Sequence, residues 1–127
     1  MFRLRWASVL AVPVLLAAGC SSGVTSTVAT SACQPHGSKL RVVANNLLFD
    51  ADCYAVPANQ PFTVTLANKD EASHNFSLYR TDGTPISRGP IVEPHQSDSE
   101  DFAALAPGTY VFRCDVHPAM TGDFVVA

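Results

Sequence analysis

Prolines divide this chain so closely that no long helix fits into most of it. Eight of the nine prolines lie after residue 34, and each interrupts a helical run because proline lacks the backbone N–H donor. The segments between them are short, rich in β-branched and aromatic residues, and separated by turn clusters such as "TDGTP". Many short strands at fairly even spacing predict an antiparallel sandwich or barrel. We therefore expect residues 39–127 to form one all-β domain, a two-sheet Greek-key β-sandwich of roughly seven to eight strands.

The clearest strand pattern lies in "FTVTLAN". Its apolar residues Phe62, Val64 and Leu66 alternate with threonines, which predicts one buried and one solvent-facing side. Two other stretches are interpreted differently. "DFAALA" could make a short helical turn, and the acidic "DSED" at 98–101 is most simply a solvated turn.

Residues 1–19 have the pattern of a secretory leader, with two early arginines, a short apolar run and small residues at the end. The final "LLAAGC" resembles a bacterial lipoprotein processing site, which implies that Cys20 is lipidated and anchors the protein to the extracytoplasmic face of the cell membrane. Residues 20–38 are rich in Ser and Thr without periodicity, which predicts a flexible tether. Two alternatives stay open: cleavage without lipidation, and a buried N-terminal helix.

Removal of the leader would make the chain distinctly acidic. Loss of Arg3 and Arg5 leaves six basic and eleven acidic residues, a formal charge of −5. This charge argues against a nucleic-acid partner, because such partners need a basic surface. A basic protein partner is compatible with this charge.

Two cysteines, Cys33 and Cys53, remain after the lipidation site and the C-terminal motif are assigned. In an exported protein such a pair is expected to form a disulfide. Closing a loop of about 20 residues would add about 3 kcal/mol of stability. The alternative, that one of the two is a metal ligand with His36 nearby, stays open.

The stretch "CDVHPAM" places a thiol, an imidazole and a thioether at every third position, as Cys114, His117 and Met120. Upstream, "ANKDEASHNFSLY" supplies His74 between two predicted strands. Two imidazoles and a thiolate with a distant thioether are the donor set of a blue-copper centre. Zinc is the main rival metal because His and Cys suit it, but the soft thioether favours copper.

The stretches "VPANQPFTVTLANKDEASHNFSLY" and "PGTYVFRCDVHPAMTGDFVV" resemble the cupredoxin family, to which plastocyanin and amicyanin belong. The resemblance implies a Greek-key β-sandwich over residues 39–127 with its metal at one end. It implies that Asn75, after the first histidine, ties the two ligand-bearing loops together, and that His117 is the electron exit. It also implies that one copper ion per chain is bound by four residues: His74, Cys114, His117 and Met120.

From this resemblance we expect a monomeric one-electron carrier, not an enzyme, whose redox partner is a cytochrome, an oxidase or a dehydrogenase. We expect Pro118 and Ala119, with Pro35 or Pro57, to form an apolar contact patch around His117. The alternative is an extracytoplasmic copper-binding protein that buffers copper or delivers it to a copper-accepting protein, an exported cuproenzyme. The same ligands would serve both functions. Copper enzymes of related fold need additional His-rich sites and further domains.

Overall fold

The computed structural model describes residues 33–127. The leader, Cys20 and most of the tether lie outside these residues, so the boundaries expected for them stay predictions. The described part contains nine strands and no α-helix, which confirms the all-β expectation. Among residues 33–127 there is no helix long and apolar enough to cross a membrane. The strands are β1 (Lys39–Asn45), β2 (Leu48–Phe49), β3 (Cys53–Val56), β4 (Phe62–Asn68), β5 (Ser77–Tyr79), β6 (Pro85–Arg88), β7 (Ser97–Phe102), β8 (Gly108–Arg113) and β9 (Thr121–Val126).

The nine strands form two sheets. One sheet has the order β2-β1-β4-β7, and the other has the order β3-β9-β8-β5-β6. The pairs β1–β4 and β3–β9 are parallel, whereas all other strand pairs of the described chain are antiparallel. Pairing between strands that are distant in the chain is the connectivity of a Greek-key sandwich.

The core lies between the inner faces of the two sheets. In β4, Phe62, Val64 and Leu66 are buried whereas the intervening threonines are only half-buried, which confirms the predicted alternation. From the other sheet, Phe112 and Phe124 are fully buried. Burial of large aromatic side chains is the dominant stabilising contribution in such a core.

The acidic stretch at 98–101 is part of strand β7 and is not a turn. It pairs antiparallel with β4 at the edge of its sheet, and its outward side chains bond across the strands, as Thr63 Oγ1 does to Asp101 at 2.7 Å. A charged edge strand discourages pairing with other chains. The stretch "DFAALA" makes no helical turn, because Asp101 and Phe102 end β7 and Phe102 stacks on Phe62.

A disulfide joins Cys33 to Cys53, with the two Cα atoms 5.5 Å apart. Cys53 begins β3, the edge strand of the five-stranded sheet. The bond therefore fixes the start of the described chain to that edge. It removes the alternative in which Cys33 or Cys53 is a metal ligand.

Two connections that carry predicted ligands lie at the same end of the sandwich. One joins β4 to β5 and contains His74, and the other joins β8 to β9 and contains Cys114, His117 and Met120. β5 and β9 both pair with β8, and Ser77 and Thr121 both lie opposite Arg113. This register brings the start of β5 and the loop between β8 and β9 together.

Gly122 lies where β9 approaches the chain that enters β3. A Cβ at this position would collide with the backbone oxygen of Asp52 and lie 2.5 Å from Cζ of Phe112. We expect Gly122→Ala to lower the free energy of unfolding by about 1–3 kcal/mol, measured by urea denaturation. Thr109→Ala, an exposed position on the neighbouring strand, should change it by no more than about 0.5 kcal/mol. Equal stability of the two variants would contradict this account.

Candidate metal centre

Three of the predicted ligands converge on one point. Sγ of Cys114 lies 3.7 Å from Nδ1 of His74 and 3.8 Å from Nδ1 of His117. The two Nδ1 atoms are 3.2 Å apart. His74 and Cys114 are completely buried, and His117 is half-buried.

The spacing of these three atoms fits the bond lengths that a single metal ion would need. A point equidistant from the three atoms lies about 2.1 Å from each, and metal–nitrogen and metal–sulfur bonds measure about 2.0–2.3 Å. No side chain needs to move for all three to bind one ion. A trigonal site of two imidazoles and one thiolate is the in-plane donor set of blue copper.

Met120 is buried in the same cluster as Cys114, on the loop that carries both. Two backbone hydrogen bonds close this loop. The N–H of Cys114 donates to the oxygen of Met120, and the N–H of Met120 donates to the oxygen of His117, both at 2.9 Å. The spacing of three residues between ligands thus forms a tight turn that aims three side chains inward.

Backbone hydrogen bonds hold His74 through both its N–H and its carbonyl oxygen. It forms an isolated β-bridge with Val92 through hydrogen bonds of 3.1 and 2.7 Å. The buried side chain of Asn68 donates to the oxygens of Ala72 and Val92. Four hydrogen bonds therefore fix the loop between β4 and β5 at the position of the ligand.

The far nitrogen of the His74 ring, Nε2, lies 3.0 Å from Oδ2 of Asp70. The same carboxylate accepts the backbone N–H groups of Asn46 at 2.9 Å and Leu47 at 2.7 Å. The hydrogen bond from Leu47 is the largest reason why the pKa of Asp70 lies below its usual range, and the contact with His74 lowers it further.

Asn75 joins the two ligand-bearing loops. Its side-chain oxygen accepts the backbone N–H of Asp115 at 2.7 Å. Its amide nitrogen donates to Oγ of Ser77 at 3.0 Å and to the oxygen of Gly89 at 3.1 Å. The first loop is therefore bonded to the second one residue away from Cys114.

The carboxylate of Asp115, inside the ligand loop, accepts hydrogen bonds from neighbouring side chains. Oγ of Ser77 donates at 2.6 Å, the hydroxyl of Tyr79 at 2.5 Å, and the guanidinium of Arg113 at 3.1 Å. Arg113 also lies 4.0 Å above the Tyr79 ring. Partial burial alone would raise the pKa of Asp115, but hydrogen bonds from Ser77, Tyr79, Asn75 and Arg113 outweigh it and hold the pKa at about 2.

Sequence reasoning did not identify Asp70 or Asp115 as parts of the centre. Asp115 directly follows a ligand, and Asp70 lies four residues before His74. These positions were the only signals available, since acidic residues in loops are ordinarily solvated. His36 and His95 stay outside the centre. His95 is exposed and pairs with Glu71 on the surface.

Comparison with known proteins agrees with this geometry. The family described as the cupredoxin-like domain matches residues 15–126. The chain belongs to this family. It is 27% identical over 124 residues to the methylamine utilization protein MauL of Methylophilus methylotrophus, covering 95% of this chain and 69% of MauL.

Two solved structures share the fold. Dithionite-reduced auracyanin from the photosynthetic bacterium Roseiflexus castenholzii is 26% identical, with a TM-score of 0.64 over 71% of this chain and 97% of auracyanin. A reduced Cu(I) form of an amicyanin variant is 25% identical, with a TM-score of 0.55 over 70% of this chain and 82% of amicyanin. The cofactor of this cupredoxin is one copper ion, and cupredoxins of this kind are electron-transfer proteins and not enzymes.

Apolar side chains are exposed at the copper end of the sandwich. Leu48 lines one groove together with Ala119 and Met120, and Val116 is 46% exposed within the ligand loop. Pro57, expected there as an alternative to Pro35, lies elsewhere. It follows Val56, which pairs with Val126 at the far end of β9.

The lowered pKa of Asp115 gives acid sensitivity a defined direction. The pKa of an Asp in an unfolded chain is about 3.9, whereas in the folded chain the pKa of Asp115 is about 2. Its stabilisation is therefore fully present above about pH 4 and is lost as the pH falls toward 2. We expect Asp115→Asn to be less stable than the wild type at pH 7, with a difference that shrinks toward pH 2. Urea unfolding across this range measures it, and a difference independent of pH would contradict the assignment.

Proposed function

We propose that this cupredoxin is a one-electron carrier with a type 1 copper centre at the outer face of the cytoplasmic membrane. The observation that carries the proposal is the buried triangle of Cys114, His74 and His117 donor atoms. The bound copper ion would take up and release one electron. The chain's own residues hold the ligands in place and exclude water from two of the three.

The rigidity of the ligand positions supports electron transfer. Cu(I) prefers soft sulfur and few ligands, whereas Cu(II) prefers nitrogen and more ligands, so a fixed compromise needs little rearrangement when one electron moves. Asn75 and Asp115 supply that fixation between the loops. Delivery of copper would instead require the buried Cys114 and His74 to open, which the closed loop opposes.

The surface around His117 supports contact with a redox partner. His117 is half-buried within a loop whose Pro118 and Ala119 are exposed. Three other large apolar side chains are exposed on elements that adjoin the centre: Leu47 at 51%, Leu48 at 63% and Ile91 at 50%. Transient electron-transfer partners typically meet over small surfaces of this kind. We infer that a cytochrome, an oxidase or a dehydrogenase docks here and exchanges its electron through the His117 ring.

Location outside the cytoplasm is part of the same proposal. The Cys33–Cys53 disulfide suits an oxidising compartment. The leader pattern ending at Cys20 supports export and lipid anchoring.

Copper titration tests the centre. We expect one equivalent of Cu(II) added to reduced protein to give an intense blue colour and a narrow copper hyperfine splitting in electron paramagnetic resonance. Cys114→Ser should abolish the colour because the thiolate–copper bond produces it. His95→Gln, which alters an exposed histidine outside the centre, should leave the colour unchanged. A colourless wild-type protein with full copper occupancy would overturn the proposal.

Two transfer assays separate the carrier from the copper-delivery alternative. The carrier predicts rapid electron exchange between the copper-loaded protein and a cytochrome, without loss of copper. Quantitative transfer of copper to a copper-free cuproenzyme, together with slow electron exchange, would instead establish delivery.

Anchoring through Cys20 has a direct test. The wild-type protein, expressed in a bacterium that processes lipoproteins, should partition with the membrane and have a mature N-terminus that carries the mass of attached lipid. Cys20→Ser should prevent lipid attachment and abolish membrane retention through it. A mature wild-type protein without lipid would show that the leader is cleaved in another way.

A further inference from the structure

The carboxylate of Asp70 connects the metal centre to a part of the fold that carries no ligand. Its Oδ1 accepts a hydrogen bond from the N–H of Asn46, and its Oδ2 accepts one from the N–H of Leu47. Oδ2 also lies 3.0 Å from Nε2 of His74. Asn46 and Leu47 form the two-residue turn between β1 and β2. One side chain thus bonds a buried ligand ring to the tip of a hairpin.

The contact determines which nitrogen of His74 carries hydrogen. An ionised carboxylate can only accept hydrogen bonds, so the 3.0 Å contact is a hydrogen bond to the neutral imidazole only when the hydrogen is on Nε2. Nδ1, which faces Cys114 and His117, then has a free lone pair for the metal. A partner on the far nitrogen fixes both the tautomer and the orientation of a ligating histidine.

The turn that Asp70 holds requires a backbone conformation that Leu47 does not adopt readily. Asn46 and Leu47 have φ angles of 53° and 57°, in the left-handed region that asparagine tolerates and that is unfavourable for leucine. The two backbone N–H groups donate to one carboxylate, and these hydrogen bonds offset the cost. The backbone of Asp70 is itself fixed, since its N–H donates to Oδ1 of the buried Asn68.

We propose that Asp70 is a positioning residue of the copper centre, which sets the tautomer of His74 and couples its ring to the β1–β2 hairpin. The proposal rests on the proposed function in that it assumes a copper centre that changes oxidation state. A negative charge beside a ligand ring favours Cu(II), the more highly charged ion, over Cu(I). Asp70 should therefore lower the reduction potential.

Asp70→Asn tests the electrostatic part, because it removes the charge and retains an oxygen that can accept from Nε2. We expect Cu(II) affinity to fall roughly 10-fold or more, Cu(I) affinity to fall less, and the reduction potential to rise. The matched control is Glu71→Gln, the same change of charge at the adjacent residue, whose exposed carboxylate contacts His95 and no ligand. A potential that stays constant in Asp70→Asn, or that moves equally in both variants, would overturn the proposal.

Nuclear magnetic resonance of isotope-labelled histidine nitrogens tests the tautomer in the metal-free protein. In the wild type, Nε2 of His74 should carry the hydrogen and exchange it slowly with solvent. Asp70→Ala should accelerate hydrogen exchange at Nε2 of His74 and at the backbone amides of Asn46 and Leu47. Asp70→Glu, which keeps a carboxylate, should slow this exchange again in part. Hydrogen on Nδ1 in the wild type would overturn the proposal even if no variant folds.

The two experiments fail separately. A wild-type protein that binds copper without blue colour would remove the proposed function. The tautomer of His74 in the metal-free protein would still decide whether Asp70 positions the ring.

Discussion

The hydrogen bond from the backbone of Asp115 to the side chain of Asn75 joins loops that are 40 residues apart in the chain. Each loop alone supplies an incomplete site, one with a single imidazole and the other with a thiolate, an imidazole and a thioether. The bond sets the distance between the two loops. The register of β5 against β8, in which Ser77 lies opposite Arg113, sets their relative position along the strands. Both constraints act through the protein itself. The ligand triangle therefore already has metal-binding dimensions in the folded chain.

Much of the fold could be predicted from local patterns. The alternation at 62–66 and the density of prolines predicted short strands in a sandwich, and the structure has them. The acidic strand β7 was missed because it is an edge strand whose inner face contributes few apolar residues, such as Phe102. Thr63 of β4 donates to Asp101, and Thr65 bonds to Ser99. This pairing is invisible until β4 and β7 are known to be neighbours. Local composition there indicates a turn, whereas tertiary pairing makes a strand.

The ligands could be predicted because their chemistry and spacing are both restrictive, and the structure brings His74, Cys114 and His117 together. The residues that hold them could not. Asp70 contacts His74, and Asp115 contacts Asn75, because the fold of the loops brings these side chains together. Ser77 and Tyr79 become partners of Asp115 because β5 pairs with β8. Such partners depend on the three-dimensional register. A one-dimensional sequence shows them only as unremarkable polar residues.

The two carboxylates near the ligands act on different parts of the centre, and both are balanced by donors. Asp115 is surrounded by hydroxyl, amide and guanidinium groups and fixes the ligand loop. Asp70 is bound by two backbone N–H groups and a ligand ring and fixes His74. Neither carboxylate belongs to the apolar side chains around the exposed part of the loop. Asp70 nevertheless adjoins the surface that would contact a partner, because it accepts the backbone N–H of Leu47, whose side chain is exposed there. His117 is the one ring in the ligand triangle that reaches solvent, so contact there can be brief and apolar without disturbing the hydrogen bonds that hold the metal site.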